Sequence, residues 1–191
     1  MWYQFEMVED LKIIVDLAKK ENPNLQIFVL GHSMGGHVTA LFVTKYPNEV
    51  KGAITVAGLL KDTIHLFGNL PLKGDPEVYV PVNKAFQIKE IQATDLSVLE
   101  KVYPNFVSHI TISIINSFVE GFEYLQKNKK NIVDPMLIIN GNADYIVDQR
   151  DAINFYLDIE NKDKSLEIFS GVGHEVWNEE KGDFFWLFLI F

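Results

Sequence analysis

The chain has 191 residues, enough for one domain with a sizeable core. Its 17 basic and 26 acidic residues give a net charge of −9, which argues against a nucleic-acid partner, and its 48% hydrophobic content is ordinary for a soluble globular protein. It contains no cysteine, which excludes disulfides, thiolate catalysis and cysteine-ligated zinc and fits a reducing compartment.

The first twenty residues carry Glu6, Glu9, Asp10, Lys12, Asp16, Lys19 and Lys20, so no signal-peptide core fits there. Val8, Leu11, Ile14, Val15 and Ala18 recur at helical spacing and predict an amphipathic helix over about 3–20, ended by the Glu-Asn-Pro-Asn that follows. The apolar run Leu25–Leu30 predicts a strand buried on both faces. A helix is expected over Val38–Tyr46, closed by Pro47, and a second strand over 52–58. Further strands are expected at 135–140 and 165–170, with a helix at about 149–159 between them. Strands alternating with helices predict a parallel sheet covered on both faces.

Residues 59–134 break this rhythm and read as an insertion. The part ending in "HLFGNLPLKGDPEVYVP" is rich in Gly and Pro and reads as loop. The part after it predicts a long apolar helix over roughly Val107–Gln126, so that the insertion is expected to be largely helical. The terminal "FFWLFLIF" is too short for a membrane span, which needs roughly 20 residues, and reads as the start of a buried helix.

The chemistry centres on "VLGHSMGG", residues 29–36, where the first strand turns into its helix. A turn this sharp brings two backbones together, and glycines at Gly31 and Gly35 remove the side chains that would collide. Gly36 keeps the start of the helix slim. The turn exposes the Ser33 hydroxyl, and the free N–H of Met34 at the helix start is placed to donate to a developing oxyanion. A glycine-rich turn without chemistry is the plainer alternative; a buried strand before the motif and a helix after it favour a nucleophile.

Such a serine needs a base. Of the five histidines, His32 and His37 flank the serine and cannot easily turn back onto it, while His65 and His109 lie in the insertion. His174, in the glycine-flanked loop "SGVGHEVW" after the last strand, is carried to the same sheet edge as Ser33. An anion must fix the tautomer of that base. Asp144 in "NGNADYIVD" is favoured; Asp148 is its rival or a helix cap, and Asp151 falls within the next helix. The order Ser33, Asp144, His174 is that of the α/β-hydrolase fold. No His-Glu-x-x-His helix or phosphate-cradling loop is present, and "GVGHEV" lacks the third glycine of a dinucleotide turn, so no metal or cofactor is expected.

The stretch "VEDLKIIVDLAKKENPNLQIFVLGHSMGG" closely resembles the monoacylglycerol lipase and lysophospholipase branch of the α/β-hydrolases. "PMLIINGNADYIVD" and "GVGHEVWNE" resemble its acid and histidine motifs, and the likeness runs from about residue 5 to 180. The resemblance implies one α/β-hydrolase domain over 1–191: a mostly parallel sheet, helices on both faces and a helical cap at about 59–134. It implies Ser33 as nucleophile, Asp144 as acid, His174 as base and a lipid ester as substrate. "TIHLF" and the apolar helix of the insertion would line an acyl tunnel, and the cap leaves room for peripheral membrane contact by a cytoplasmic protein. Members of the branch also carry strands and a His-Gly loop ahead of the helix with which this chain opens, and residues 1–30 do not match them. The resemblance therefore implies an N-terminally truncated version whose final helix is also cut short. It would lack a second oxyanion donor, worth about 10²–10³ in rate, and would expose a strand edge. Two classes of function follow: a serine hydrolase of lipid esters, with a peptidase or thioesterase as variants, or a non-catalytic homologue.

Overall fold

In the computed structural model the described residues are 3–61, 67–68, 71–89, 96–102, 105 and 107–177. His65, most of "TIHLF" and the terminal apolar segment lie outside them.

Helix α1 spans Tyr3–Glu21. It leads into strand β1, Phe28–His32, helix α2, Met34–Lys45, and strand β2, Gly52–Val56. The insertion holds β3, Tyr79–Pro81, the short helices α3, Val82–Ala85, and α4, Leu96–Val102, then β4, His109–Thr111, and the long helix α5, Ile112–Asn128. The chain returns through β5, Met136–Gly141, α6, Gln149–Asp158, and β6, Lys164–Phe169. The main sheet is parallel, in the order β1-β2-β5-β6.

Pleating divides the sheet residues between two faces. Val29, Ala53, Met136 and Ile138 pack with Val8 and Val15 of α1, Leu41 and Phe42 of α2, Leu125 of α5 and Phe155 of α6 in the main core. The other face carries a smaller cluster of Val56, Ala57, Ile139, Val172 and Val176, over which Trp177 packs.

Three readings of the sequence need correction. The run ending at Leu30 is not a strand buried on both faces: β1 begins at Phe28, and Phe28 and Leu30 are 57% and 47% exposed. The reason is position. β1 pairs with β2 on one side and with no other strand among the described residues, so only Val29 and Gly31 of its apolar run enter a core. The loop reading of 65–81 misses β3, which pairs antiparallel with β4 through Tyr79–Thr111, Val80–Ile110 and Pro81–His109. That pairing also delays the long helix. It starts at Ile112 rather than Val107, with Thr111 as its N-cap accepting from the Ile114 N–H at 3.3 Å.

Helix α5 serves two clusters. Ile115, Phe118 and Phe122 pack with Leu59, Phe67, Ala85, Ile88 and Val147, whereas Leu125 sits in the main core. Leu125→Ala is therefore expected to cost about 2–5 kcal/mol of global stability, read as a lowered urea midpoint at unchanged slope. A loss under about 0.5 kcal/mol would show that the C-terminal half of α5 is not part of the main core.

Candidate active site

Parallel strands deliver their C-terminal ends to one edge, and the loops that leave β1, β5 and β6 carry Ser33, Asp144 and His174 there. Ser33 occupies the turn between β1 and α2 at φ 54°, ψ −119°, a conformation that costs a non-glycine residue about 1–3 kcal/mol. A Cβ on Gly31 would lie 2.0 Å from the Gly35 carbonyl oxygen, so glycine is required at that position. The same reasoning does not extend to Gly35, where an added Cβ meets nothing within 4 Å. It is Gly36 that is pressed, with a built Cβ 2.7 Å from Gly58 Cα, so α2 abuts the end of β2. The Ser33 N–H donates to Val56 O at 2.9 Å and completes the clamp.

The three side chains form one hydrogen-bonded chain. Ser33 Oγ lies 3.0 Å from His174 Nε2, and His174 Nδ1 lies 2.9 Å from Asp144 Oδ2. A carboxylate only accepts, so Nδ1 carries the proton and Nε2 is free to accept from the serine hydroxyl. The Asp144 carboxylate is fully buried, and its other oxygen accepts from the N–H groups of Ile146 at 2.8 Å and Val147 at 2.9 Å. Both oxygens of the buried charge are thus partnered. Met34, at the first position of α2, has an N–H that no helical carbonyl can reach, and it lines the same cavity as Ser33.

The rivals fall elsewhere. Asp148 caps α6, accepting from Arg150 N at 2.8 Å and pairing with the Arg150 guanidinium, and Asp151 lies in the first turn of α6. His109 is exposed beside the Ser108 hydroxyl. His37 is buried and donates from Nδ1 to Leu59 O at 2.7 Å, with its ring against Phe118 and Phe122.

Several supports were not singled out in the sequence. Gly141 is one: a Cβ there would lie 2.0 Å from Val172 O, so the loop bearing His174 can press on the end of β5 only because position 141 has no side chain. Ala143 N donates to Val172 O at 2.9 Å and Gly171 N to Asn142 Oδ1 at 2.6 Å, tying the acid and histidine loops together. Asn140, fully buried, donates to Val147 O at 3.2 Å and braces the acid loop from below. A polar residue closing an apolar strand was the available signal. His32, just before Ser33, donates from Nε2 to the backbone carbonyl of His174 at 2.9 Å.

Above Ser33 lies a cavity of about 270 Å³. Met34, Leu59, Phe67, Val82, Phe86, Ile110, Ile114, Ile115, Phe118 and Ile146 line it, with Ser33 and His174 as its polar members. Most of this wall comes from the insertion. Among the described residues, the group with metal-ligand spacing is His32, His174 and Glu175, whose ligand atoms lie within 4.8 Å of one another. Both ring nitrogens of His174 and Nε2 of His32 are engaged in hydrogen bonds within the protein.

A parallel sheet with a serine on a strained strand-to-helix turn after one strand, and an aspartate and a histidine on the loops after two later ones, has the arrangement of an α/β-hydrolase fold. The structure superposes on an α/β hydrolase from Penicillium sp. with a TM-score of 0.73 at 20% identity, covering 98% of this chain and 70% of that one. It matches a monoacylglycerol lipase from Paleococcus ferrophilus at a TM-score of 0.72 and 20% identity, over 96% and 73% of the two chains. Residues 4–181 fit the family described as "Serine aminopeptidase, S33", a label unrelated to residue numbering here, and the chain belongs to that family. Among curated relatives it is 24% identical over 186 residues to a monoacylglycerol lipase of Mycolicibacterium smegmatis, covering 91% of this chain and 64% of that protein. It is also 24% identical over 200 residues to the monoglyceride lipase of Saccharomyces cerevisiae, covering 93% of this chain and 63% of that one. The chain thus spans a little under two thirds of the length of these relatives.

Two outcomes follow from the geometry. Gly141→Ala should push the loop at Val172 outward and cost about 1–3 kcal/mol; a melting temperature equal to wild type would contradict the close approach. Burial lowers the pKa of His37 from 6.5 to about 4, opposed only by its bond to Leu59 O. Well above pH 6.5 the ring is neutral both folded and unfolded; between 6.5 and about 4 the unfolded chain takes up a proton that the folded chain refuses. Stability should therefore fall by about 3 kcal/mol as pH drops from 7 to 4. The His37→Asn variant, which keeps a donor for Leu59 O, should lose correspondingly less over that range in urea titrations.

Proposed function

We propose that the protein is a serine hydrolase that cleaves the carboxylic ester of a lipid such as a monoacylglycerol or lysophospholipid. The observation that carries the reading is the hydrogen-bonded chain Ser33–His174–Asp144 opening into an apolar cavity. Ser33 Oγ attacks the ester carbonyl as His174 Nε2 takes its proton, and the Met34 N–H donates to the oxyanion. Asp144 stabilises the imidazolium. His174 then returns the proton to the departing alcohol oxygen as the ester C–O bond breaks and an acyl-Ser33 forms. Water, deprotonated by the same histidine, attacks the acyl carbon; the bond to Ser33 Oγ breaks as His174 returns that proton to Oγ, releasing the fatty acid and restoring Ser33.

The family description favours a second reading, an aminopeptidase. Such an enzyme must hold a substrate ammonium, which calls for an acidic or otherwise strongly accepting wall. The cavity wall supplied by the described residues is apolar apart from Ser33 and His174, which suits an acyl chain instead. The names of the curated relatives, monoacylglycerol and monoglyceride lipases, point the same way. In this reading residues 59–134 act as the cap over the acyl site. The exposed side chains Val78, Tyr79, Val98 and Val107 of that cap are suited to peripheral contact with a lipid surface by a cytoplasmic protein. Among the described residues no helix is long and apolar enough to cross a membrane.

The test offers the purified protein a series of monoacylglycerols, an aminoacyl anilide and a fluorophosphonate. Ser33-dependent release of fatty acid is expected, with no anilide cleavage. Ser33→Ala should abolish release and labelling, and Asp144→Asn should lower kcat by about 10⁴-fold. Ser33-dependent cleavage of the anilide alone would favour the peptidase; no Ser33-dependent turnover and no labelling would favour a non-catalytic homologue.

A further inference from the structure

The loop that carries His174 has a long way to travel. It leaves β6 at Phe169, passes the end of β5, where Val172 touches Gly141 and Ala143, and crosses β2, where Val172 and Val176 pack over Val56 and Ala57. It reaches Ser33 only at β1, on the far side of the sheet. Its β5 side is secured by backbone bonds to Asn142 and Ala143. At the β1 end the backbone carbonyl of His174 accepts from His32 Nε2 at 2.9 Å. A carbonyl only accepts, so this nitrogen of His32 carries the proton.

His32 and Ser33 are chain neighbours that grip the same residue from two sides. The backbone twist at Ser33 turns its hydroxyl to His174 Nε2, while His32, still within β1, holds the carbonyl of His174. The His32 ring is itself confined, with its centroid 4.8 Å from the His174 ring and 4.7 Å from that of Trp177. Because the two bonds originate one residue apart, the distance from base to nucleophile is fixed locally rather than through the width of the sheet.

We infer that His32 is a positioning residue, which clamps the His174 backbone to β1 and thereby sets the Ser33–His174 distance. This rests on the serine hydrolase reading above. Asp144 still holds Nδ1 when the clamp is lost, so the base remains present but is free to drift. A displacement of about 1 Å at a reacting group costs roughly 10²-fold in rate.

The test compares His32→Leu, which removes the donor, with His32→Gln, whose amide nitrogen reaches about as far as Nε2. His32→Leu should lower kcat on a monoacylglycerol by about 10²-fold with KM within about twofold, and His32→Gln should recover most of the loss. A residue that served stability alone would show no such split and no rescue by glutamine at equal melting temperature. Where His32→Leu does not fold, His32→Asn, one carbon too short to reach, takes its place. The second readout needs no turnover: the far-downfield proton resonance of His174 Nδ1–H, bonded to Asp144, should broaden in the Leu or Asn variant and persist in Gln. Wild-type kcat in His32→Leu, or equal losses in the Leu and Gln variants, would overturn the inference. A protein without Ser33-dependent hydrolysis whose downfield resonance still depends on His32 would keep the clamp and refute the hydrolase reading.

Discussion

The site depends on how closely three backbone segments approach at one point: the end of β1, the start of α2 and the end of β2. Gly31, Gly36 and Gly58 make that approach possible, and the bond from Ser33 N to Val56 O fixes it. Its cost is visible in the dihedrals, with Ser33 at φ 54° and Ala57 at φ 47°. At about 1–3 kcal/mol each, such distortions persist only where packing over-determines them. Helix α2 supplies that packing. Leu41, Phe42 and Val43 have no exposed surface, and burying side chains of this size contributes about 1.5–3 kcal/mol apiece. The helix that presents the serine is therefore itself anchored in the core.

Much of this was legible in the sequence. The Gly-x-Ser-x-Gly turn can be read because its chemistry is local: the glycines, the serine and the helix that follows are contiguous. Asp144 and His174 are legible for a topological reason, since parallel strands send the loops after them to a common edge whatever the details of packing. What was not legible depends on neighbours distant in sequence. Nothing in "FVLGH" tells that β1 is paired on one side alone among the described residues, so burial on both faces was a reasonable but incorrect reading of its apolar run. β3 is three residues long and rich in neither alternation nor length; it exists because His109–Thr111 lies alongside it. The requirement for Gly141 comes from Val172, thirty-one positions on (172 − 141), and cannot be inferred from the residues beside it.

The histidines illustrate the same division. Residue type alone makes His32, His37 and His174 equal candidates as the base. Their partners separate them: a buried carboxylate and a serine for His174, the His174 backbone carbonyl for His32, and a loop carbonyl within an aromatic nest for His37. Of these three rings, that of His174 is the one hydrogen-bonded to the Ser33 hydroxyl.

His37 also links the wall of the cavity to the helix that bears the serine. A Cβ on Gly121 of α5 would lie 2.2 Å from His37 Nε2, so α5 and α2 are in direct backbone-to-ring contact. Phe118, one turn earlier in α5, touches the His37 ring and lines the cavity. One helix thus contributes Ile114, Ile115 and Phe118 to the cavity and Leu125 to the main core. To swing that wall outward, α5 would have to expose several of these side chains, at about 1.5–3 kcal/mol each. The β3–β4 ladder has three residue pairs, and a hydrogen bond between such strands contributes only about 0.5–1.5 kcal/mol net. The comparison decides which wall yields. α5 is anchored in both clusters, whereas Phe86 and Ile110, which with Val82 close the cavity on the β3–β4 side, are only partly buried and pack in the second cluster alone, so a bulky occupant finds room on that side.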